Sequence, residues 1–311
     1  MTSTVAPILV IGGTGRHGST GGHVARRLRE EGREVRVLTR ALSERTDALA
    51  ALGIEVAVGD LHDRRSIVPA LADVDLAYFT YPIDLGVVEA AANYAAAVRE
   101  TGYATRTVVM SMAPAHPAHP SDLGRDQWLA EEVMAWAGID ITVLRIAATF
   151  HENIVALHGN SIRKEGVLRN SFGDKPVAWI NGSDAGEVAV AALLHPERFD
   201  GSVCYPAGSE EKNHYDIAEI MTQELGRQID FEPISRFQWR KELIDVSETF
   251  PGGVVNPAMA GHISAVGEAV ATRGAPPADH AALSALIGRA PVSLRDFIRE
   301  HRFSFESKQS T

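Results

Sequence analysis

A single cysteine, Cys204, occurs among the 311 residues of the chain. An intrachain disulfide therefore cannot form, and a zinc or iron–sulfur site that needs several cysteine ligands is excluded. We expect this cysteine to stay reduced in a cytoplasmic protein, and we predict no bound metal.

Long apolar runs and an excess of basic residues are missing as well. No apolar segment approaches the roughly 20 residues of a membrane-spanning helix, and residues 1–7 lack the basic and apolar regions of a signal peptide. The formal net charge of −10 argues against nucleic acid or an anionic membrane as a partner. With 45% hydrophobic and 23% charged residues, the composition is that of a globular protein. We therefore expect a small-molecule partner, and the oligomeric state stays open.

The sequence does contain a cluster of glycines near its start, between an apolar run and a helical pattern. Residues 7–11 are apolar, Gly12 and Gly15 follow, and residues 34–40 form a second run with β-branched side chains. The order strand, glycine turn, helix and strand predicts the first βαβ unit of a dinucleotide-binding fold. In this unit Gly12 permits a sharp turn, and Gly15 leaves room for a pyrophosphate. The following helix offers its free N–H groups to the phosphates.

The third glycine of this turn has two candidates. Gly12, Gly15 and Gly18 have the Gly-x-x-Gly-x-x-Gly spacing of short-chain dehydrogenases. Gly21 instead lies about three residues before Val24, where the third glycine usually stands relative to the helix core. Both interpretations stay open. The loop residues predicted to contact the cofactor are Gly12, Thr14, Gly15, Arg16, His17 and Gly18.

Strands alternate with helices over the first half of the chain. After the opening unit, the patterns predict strands at residues 54–58, 75–80, 106–111 and 139–145, with helices between them. This alternation predicts an α/β fold of the Rossmann type, with a doubly wound parallel sheet covered on both faces. We assign residues 1–150 to this dinucleotide-binding domain, with a strand near 176–205 that returns to it. Residues 151–311 are assigned to a smaller α/β substrate or lid domain.

Several short motifs together resemble the NmrA-like family, a group of atypical short-chain dehydrogenases/reductases. They follow the order of the family over nearly the whole chain, and they are Gly12-Gly-Thr-Gly15, Val37-Leu-Thr-Arg40, Gly59-Asp-Leu-His-Asp63, Val108-Val-Met-Ser111, Ile141-Thr-Val-Leu-Arg145, Phe150-His-Glu-Asn153, Asp184-Ala-Gly-Glu-Val, Leu225-Gly-Arg227 and Leu294-Arg-Asp-Phe-Ile. The resemblance implies a Rossmann domain that binds NADP(H) or NAD(H), together with a small C-terminal substrate domain.

Arg40 stands at the end of the second predicted strand, which lies beside the adenine ribose in this fold. An acidic residue there would favour the 2′-hydroxyl of NAD(H), whereas a guanidinium can pair with the 2′-phosphate of NADP(H). We therefore favour NADP(H), with NAD(H) as the alternative. The other predicted cofactor contacts at strand ends are Asp60 and Leu61 beside the adenine, Thr80, Tyr81 and Pro82 beside the nicotinamide, and Ser111.

The proton donor of ordinary short-chain dehydrogenases is missing. Those enzymes use a tyrosine whose pKa is lowered by a lysine four residues later, and no tyrosine of this chain has such a lysine. The corresponding positions on the helix before the sixth strand hold Leu123 and Gln127. The remaining candidates for proton transfer are Ser111, Tyr81 and His151. The loop histidines His116 and His119 are interpreted as exposed.

The remaining polar and aromatic residues have simpler interpretations. The predicted substrate contacts are Met112, Phe150 and Asn153. An apolar lid is predicted from Phe237, Trp239, Phe250 and Met259, and the other tryptophans, among them Trp136, are expected to pack in the core or the lid. The acids Glu131 and Glu132, on a predicted helix, are interpreted as solvated.

Two functions fit these features. The first is an NADPH-dependent reductase that transfers hydride to a carbonyl, imine or activated C=C bond of a small, largely apolar compound. The second is a non-catalytic regulatory or binding protein of the NmrA type that senses NAD(P)(H). The predicted lid favours the first function, and the missing tyrosine and lysine favour the second.

Overall fold

The computed structural model describes residues 6–15, 19–113, 115–250 and 252–306. The chain divides into two compact units. The first comprises the residues up to His119, Gly124–Ile146 and Ala185–Pro206, and the second comprises Pro120–Leu123, Ala147–Asp184 and the residues from Ala207 onward. Along the described ranges, no helix is long and apolar enough to cross a membrane.

Strands and helices alternate through most of the first unit. In chain order the β-strands are β1 (Ile8–Ile11), β2 (Val35–Thr39), β3 (Glu55–Val58), β4 (Leu76–Phe79), β5 (Arg106–Met112), β6 (Ile141–Ile146), β7 (Thr149–Phe150), β8 (Val167–Asn170), β9 (Val177–Ile180), β10 (Val203–Cys204), β11 (Glu210–Lys212) and β12 (Asp230–Pro233). The α-helices are α1 (Thr20–Glu30), α2 (Glu44–Ala50), α3 (Arg64–Ile67), α4 (Val87–Thr101), α5 (Asp122–Trp136), α6 (Gly159–Glu165), α7 (Gly182–Leu194), α8 (His214–Leu225), α9 (Arg236–Thr249), α10 (Pro257–Arg273), α11 (His280–Ile287) and α12 (Leu294–Glu300).

The first unit is built around a seven-stranded sheet in the order β10-β6-β5-β4-β1-β2-β3, and its strand pairs are parallel. The predicted Rossmann-type fold is thereby confirmed. All four residues of β1 are apolar and buried, because the faces of a parallel sheet are both covered by helices. The strand order reverses where β1 lies between β2 and β4. Ligands of open parallel sheets bind at such a reversal, outside the carboxyl ends of the strands.

The chain beyond β6 contributes to this sheet once more. β10 pairs in parallel with β6, and the segment of the first unit that contains it begins at Ala185, within α7. The predicted strand at residues 176–180 forms as β9, but it lies in a separate three-stranded sheet between β11 and β7. A short apolar strand does not encode which sheet it will join, since that depends on partners distant in sequence.

The second unit has a core of aromatic and histidine side chains. Trp179 of β9 and Trp239 of α9 are fully buried. The ring of His158 stacks on Trp239 with centroids 5.9 Å apart, and His214 lies edge-on to Trp179 at 5.6 Å. Burial lowers the pKa of His158 to about 4, and burial together with His158 lowers the pKa of His214 well below 6.5. Both rings are therefore neutral at pH 7.

The four residues predicted to form an apolar lid have two different environments. Trp239 and Met259 belong to the buried core of the second unit, whereas Phe237 and Phe250 are 75% and 50% exposed. Phe237 and Trp239 are two positions apart on α9, so they point to different sides of the helix. The four residues therefore do not form one apolar enclosure. Trp136, at the end of α5, is 70% exposed, which corrects the expectation that it packs in the core or the lid.

The buried neutral histidines make the protein sensitive to acid. A pKa of about 4 for folded His158, against 6.5 for the free side chain, means that the unfolded chain binds more protons as the pH falls from 6.5 towards 4. Stability is fully present above pH 6.5 and falls by about 2 kcal/mol per such histidine at pH 5. We expect His158→Phe to reduce this loss while keeping the ring stack, as measured by denaturant unfolding at about pH 7 and pH 5. Replacing the exposed His195 by Gln is the control, and equal pH dependence in all three proteins would contradict the assignment.

Candidate active site

The turn after β1 has a backbone that only glycine can adopt at its first position. Gly12 has a φ of +85°, and a Cβ atom there would lie 2.3 Å from Cγ2 of Thr80, at the end of β4. The Gly15 N–H donates to the Gly12 carbonyl oxygen at 2.9 Å. A Cβ atom on Gly15 would lie 3.0 Å from that same oxygen. The first unit therefore has a tight loop whose two glycines leave backbone exposed at the strand reversal.

The close packing of α1 on this loop belongs to Gly21. A Cβ atom on Gly21 would lie 2.4 Å from the carbonyl oxygen of Gly12 and 2.6 Å from its carbonyl carbon. This contact is the role that the third glycine plays in a dinucleotide-binding turn, where helix and strand approach closely. The competing candidate Gly18, and the predicted contacts Arg16 and His17, lie outside the described residues.

The loop and the start of α1 fit a diphosphate group. The glycines remove side chains that would cover the backbone, and the first turn of the helix contains no acidic residue. Free N–H groups and the positive end of the helix dipole favour an anion at this position. A polar contact supports the helix start, since the buried Tyr78 hydroxyl donates to Thr20 Oγ1 at 3.1 Å.

Two arginines lie close to the loop, one of which the sequence analysis missed. Arg40 is exposed directly after β2, and its charge lowers the pKa of Tyr81. Arg45, in the first turn of α2, donates from Nη1 to the carbonyl oxygen of Thr14 at 3.0 Å. The Thr14 hydroxyl also lies 3.5 Å from that of Thr39. Arg45 thus places a second guanidinium beside the loop, a contact that no local motif encodes.

Tyr81 is held in a hydrogen-bonded chain at the end of β4. Its hydroxyl donates to the Leu85 carbonyl oxygen at 3.0 Å and lies 2.9 Å from Nε2 of His62, while the other ring nitrogen of His62 is 3.1 Å from Glu89. Partial burial raises the pKa of Tyr81, Asp84 raises it further, and Arg40 lowers it. The phenolic proton is already donated to a carbonyl, so these contacts support a role in positioning rather than in proton transfer.

The other predicted residues at this edge differ in exposure. The Asp60 carboxylate accepts the N–H of His62 at 2.9 Å, and its own N–H donates to Ser66 Oγ at 2.8 Å, so Asp60 shapes the loop after β3. Leu61 packs against the hydrophobic core, and Pro82 is exposed. Met112 is half-buried at the end of β5.

Ser111, near the end of β5, is part of a buried polar cluster. Its hydroxyl donates to Oε1 of Glu131 on α5. Arg145 of β6, which pairs in register with Ser111, donates to Glu131 Oε2 from Nε at 3.0 Å and from Nη2 at 2.5 Å. Arg145 Nη1 also donates to the Tyr205 hydroxyl at 2.7 Å. Burial raises the pKa of Glu131, while Arg145 and Ser111 act in the opposite direction.

Glu131 corrects the interpretation of a solvated acid, because it is only 4% exposed. Leu123, Gln127 and Glu131 are spaced four residues apart and lie on one face of α5, and all three are buried. Glu131 thus lies one helical turn after Gln127, on the face of α5 that holds the positions of the missing tyrosine and lysine. The same four-residue spacing that relates Leu123 to Gln127 identifies Glu131 in the sequence.

The two histidines of the β5–α5 loop have different environments, since His116 is exposed and His119 packs against α5. His119 is buried, which corrects its interpretation as an exposed residue. A Cβ atom on Gly124 would lie 2.2 Å from its Nδ1, so the ring rests directly on the start of α5. Within the described ranges, no group of three or more histidine, cysteine, aspartate or glutamate side chains is arranged to hold a metal ion.

The second unit contains the remaining predicted residues. His151 is fully buried between Trp179 and Phe297, with ring centroids at 6.5 Å and 5.4 Å, and burial lowers its pKa to about 3. Burial among aromatic side chains keeps this ring neutral and does not favour proton transfer, and the candidate role of His151 stays a prediction. Asn153 is buried and Phe150 is half-buried.

Glu152 was not predicted as a functional residue. Both of its carboxylate oxygens lie near the Gly182 N–H at the start of α7, at 3.0 Å and 3.2 Å. Burial raises the pKa of Glu152 to about 7, although the hydrogen bond from Gly182 acts in the opposite direction.

The comparison with known proteins agrees with this geometry. A model of the NmrA-like family matches residues 4–278. The chain belongs to the NmrA-like family. The resemblance inferred from the motifs is therefore confirmed.

Relatives of this NmrA-like protein include reductases. The chain is 30% identical over 297 residues to (4-alkanoyl-5-oxo-2,5-dihydrofuran-3-yl)methyl phosphate reductase of Streptomyces griseus. The alignment covers 94% of this chain and 98% of the relative. It is 28% identical over 243 residues to an NAD(P)H azoreductase of Xenophilus azovorans, covering 76% and 80% of the two chains.

Solved structures of similar fold extend over nearly the whole NmrA-like chain. An NADPH-dependent quinone oxidoreductase of Escherichia coli, solved with NADPH, superposes with a TM-score of 0.79 at 22% identity, covering 95% of this chain and 99% of the other. The Citrobacter triphenylmethane reductase, solved with NADP(H), has a TM-score of 0.77 at 20% identity, with 94% and 99% covered. At these identities the superpositions support the fold.

Gly21 provides a direct test of the loop geometry. We expect Gly21→Ala to force α1 away from Gly12, which lowers stability by about 1–3 kcal/mol and weakens binding of a nicotinamide dinucleotide. Gly261→Ala in α10 is the matched control, because its nearest contact there would be Arg240 Nε at 4.0 Å. This change should leave stability equal or up to about 1 kcal/mol higher. Denaturant unfolding and dinucleotide titration measure both effects, and wild-type behaviour of Gly21→Ala would refute the close packing.

Proposed function

We propose that this protein is an NADPH-dependent reductase that transfers hydride to a small, largely apolar compound with a carbonyl, imine or activated C=C group. The observation that carries the proposal is the glycine loop at the strand reversal, where Gly12, Gly15 and Gly21 leave no room for side chains. The two curated relatives, both named as reductases, support the reaction class. A cytoplasmic location stays a prediction.

The residues of the first unit account for cofactor binding in this proposal. The loop from Gly12 to Gly15 and the start of α1 hold the diphosphate by backbone N–H groups. Arg40 binds the 2′-phosphate of NADP(H), with Arg45 as a second cation beside the loop. Asp60 and Leu61 border the adenine. NAD(H) remains the alternative cofactor.

In this proposal the substrate receives a hydride from the cofactor and a proton from the protein. When bound, the dihydronicotinamide supplies the hydride. Thr80, Tyr81 and Pro82, at the end of β4, position that end of the cofactor. Ser111 is the remaining predicted residue with a hydroxyl at the neighbouring strand end. Met112 in the first unit, and Phe150 and Asn153 in the second, stay predictions for substrate contacts.

A second function follows from what the site lacks. Leu123 and Gln127 occupy the positions where a tyrosine and a lysine would lower the barrier to proton transfer. A protein that binds the dinucleotide without turnover, and reports its redox state to a partner, would need neither residue. The two functions differ in one measurable property, which is whether the bound cofactor is consumed.

Arg40 tests the choice between the two cofactors. We expect Arg40→Ala to weaken NADPH binding by about 10- to 100-fold, because a charge-assisted contact to the 2′-phosphate is lost. NADH binding should change little, since NADH has a hydroxyl at that position. Calorimetric titration with each cofactor gives the two dissociation constants. Arg65→Ala, which removes an exposed arginine near Asp63, is the control. Equal weakening of NADPH and NADH by Arg40→Ala would reject the assignment.

Turnover tests the reductase against the binding protein. We expect NADPH absorbance to fall when the protein is mixed with at least one member of a panel of quinones, enones, butenolides, azo dyes and triarylmethane dyes. The control is Gly12→Val, in which the clash with Thr80 prevents the loop from forming, so any rate that persists is background. Tight NADPH binding without consumption across the panel would favour the sensing function.

A further inference from the structure

The missing tyrosine and lysine leave open where the substrate's proton comes from, and the Ser111 cluster addresses this question. We propose that Ser111 exchanges the proton with the substrate and that Glu131, directly behind it, stores the proton for Ser111. The inference rests on the reductase function proposed above. It assigns to Glu131 a role that neither the motifs nor the relatives' names indicate.

The two oxygens of the Glu131 carboxylate have different hydrogen-bond partners. Both hydrogen bonds from Arg145 reach Oε2, whereas Ser111 is bonded to Oε1. A proton can therefore bind Oε1 without displacing either bond from the guanidinium. In a symmetric arrangement, with Arg145 on both oxygens, protonation would break one of its bonds. The cluster thus holds a carboxyl group in place in both of its protonation states.

Glu131 and Arg145 form a largely buried ion pair. Glu131 is 4% exposed and the Arg145 side chain 12%. Buried ion pairs generally contribute little net stability compared with apolar residues of the same size. An ion pair whose only task was to fasten α5 to the sheet would therefore have no advantage over an apolar contact. A hydroxyl bonded to the carboxylate, at the strand end of a predicted active site, gives the pair a chemical task.

Ser111 lies on the face of the sheet that α4 and α5 cover. Thr107 and Val109 are four and two residues before Ser111 in β5, and they contact α4 and the α4–α5 side of the core. Ser111 points to the same face, and its bond to Glu131 confirms this orientation. Leu123 and Gln127, the positions of the missing pair, share that face of α5. Glu131 therefore replaces them from one turn deeper in the helix.

Two proton transfers accompany the reduction of the substrate. As the substrate receives a hydride from the dinucleotide, the Ser111 O–H bond breaks and a new O–H bond, or N–H bond for an imine, forms on the substrate. At the same time the Glu131 Oε1–H bond breaks and its proton restores the Ser111 hydroxyl. Glu131 is left as a carboxylate paired with Arg145, and solvent returns one proton before the next turnover. The dinucleotide is oxidised and the substrate is reduced.

The charged and titratable groups around Glu131 define its pH dependence. Arg145 faces it from β6, with Tyr205 bonded to the far side of the guanidinium, and Glu132 is its neighbour on α5. Burial and Glu132 raise the pKa of Glu131, and Arg145 and Ser111 lower it. Because Glu131 must carry a proton to supply Ser111, the rate should fall as the pH rises through this pKa.

The experiment compares Glu131→Gln, Ser111→Ala and the neighbouring control Glu132→Gln in the full-length protein. We expect Glu131→Gln to lower kcat by about 10²- to 10⁴-fold, to remove the pH dependence, and to leave the NADPH dissociation constant unchanged. Glu132→Gln should keep the maximal rate of the wild type on the low-pH plateau, and the fall in rate should shift to lower pH because a charge that raises the pKa of Glu131 is gone. A Glu131→Gln protein that loses thermal stability but keeps the wild-type pH profile would show a structural role only and overturn the proposal.

A second measurement does not depend on turnover or on the stability of one variant. Infrared titration of the protein without cofactor should show a buried carboxyl group, distinct from that of Glu152, that gains a proton and whose band shifts in Ser111→Ala. The band should titrate at lower pH in Glu132→Gln. A silent substrate panel with this band present would reject the reductase and leave the proton-storing pair intact. Absence of a Ser111-sensitive carboxyl band would overturn the proposal whatever the panel shows.

Discussion

Parallel pairing of β1 with β2 and β4, and of β5 with β6, brings the last residues of these strands to one edge of the sheet. The consequences are specific. Gly12 meets the Thr80 side chain because β1 and β4 end together, and Arg145 reaches the carboxylate bonded to Ser111 because the two residues are register partners. A shift of one residue in either pair would turn these side chains to the opposite face. The loop therefore depends on the register of β1 with β4, and the polar cluster on the register of β5 with β6.

Two sets of buried ionisable groups differ in their partners. In the first unit Glu131 is buried with Arg145 and Ser111, which offset part of the cost of removing its charge from water. In the second unit His158 and His214 are buried without a counter-ion and remain neutral. A paired carboxyl group can change its protonation state in place, whereas a buried histidine in an aromatic core gains a proton only with loss of packing. The first arrangement suits proton transfer, and the second links stability to pH.

Features encoded by neighbouring residues were accessible from the sequence, and features that join distant residues were not. The glycine turn and the alternation of strands with helices are local patterns, and they led to the correct fold and family. The burial of Glu131 depends on Arg145 and Ser111, which are 14 and 20 residues away. The environments of His119 and His151 depend on packing partners such as Gly124 and Phe297, which no spacing rule identifies.

Periodicity and short motifs were enough to predict the Rossmann-type sheet, the glycine loop and membership of the NmrA-like family. The sequence also contains no tyrosine that is followed four residues later by a lysine. The packing of Gly21 on Gly12 and the burial of Glu131 behind Ser111 are visible in the folded chain alone, because close packing and desolvation are properties of residues that folding brings together. The charge of a glutamate in the sequence is the same whether it faces water or a serine.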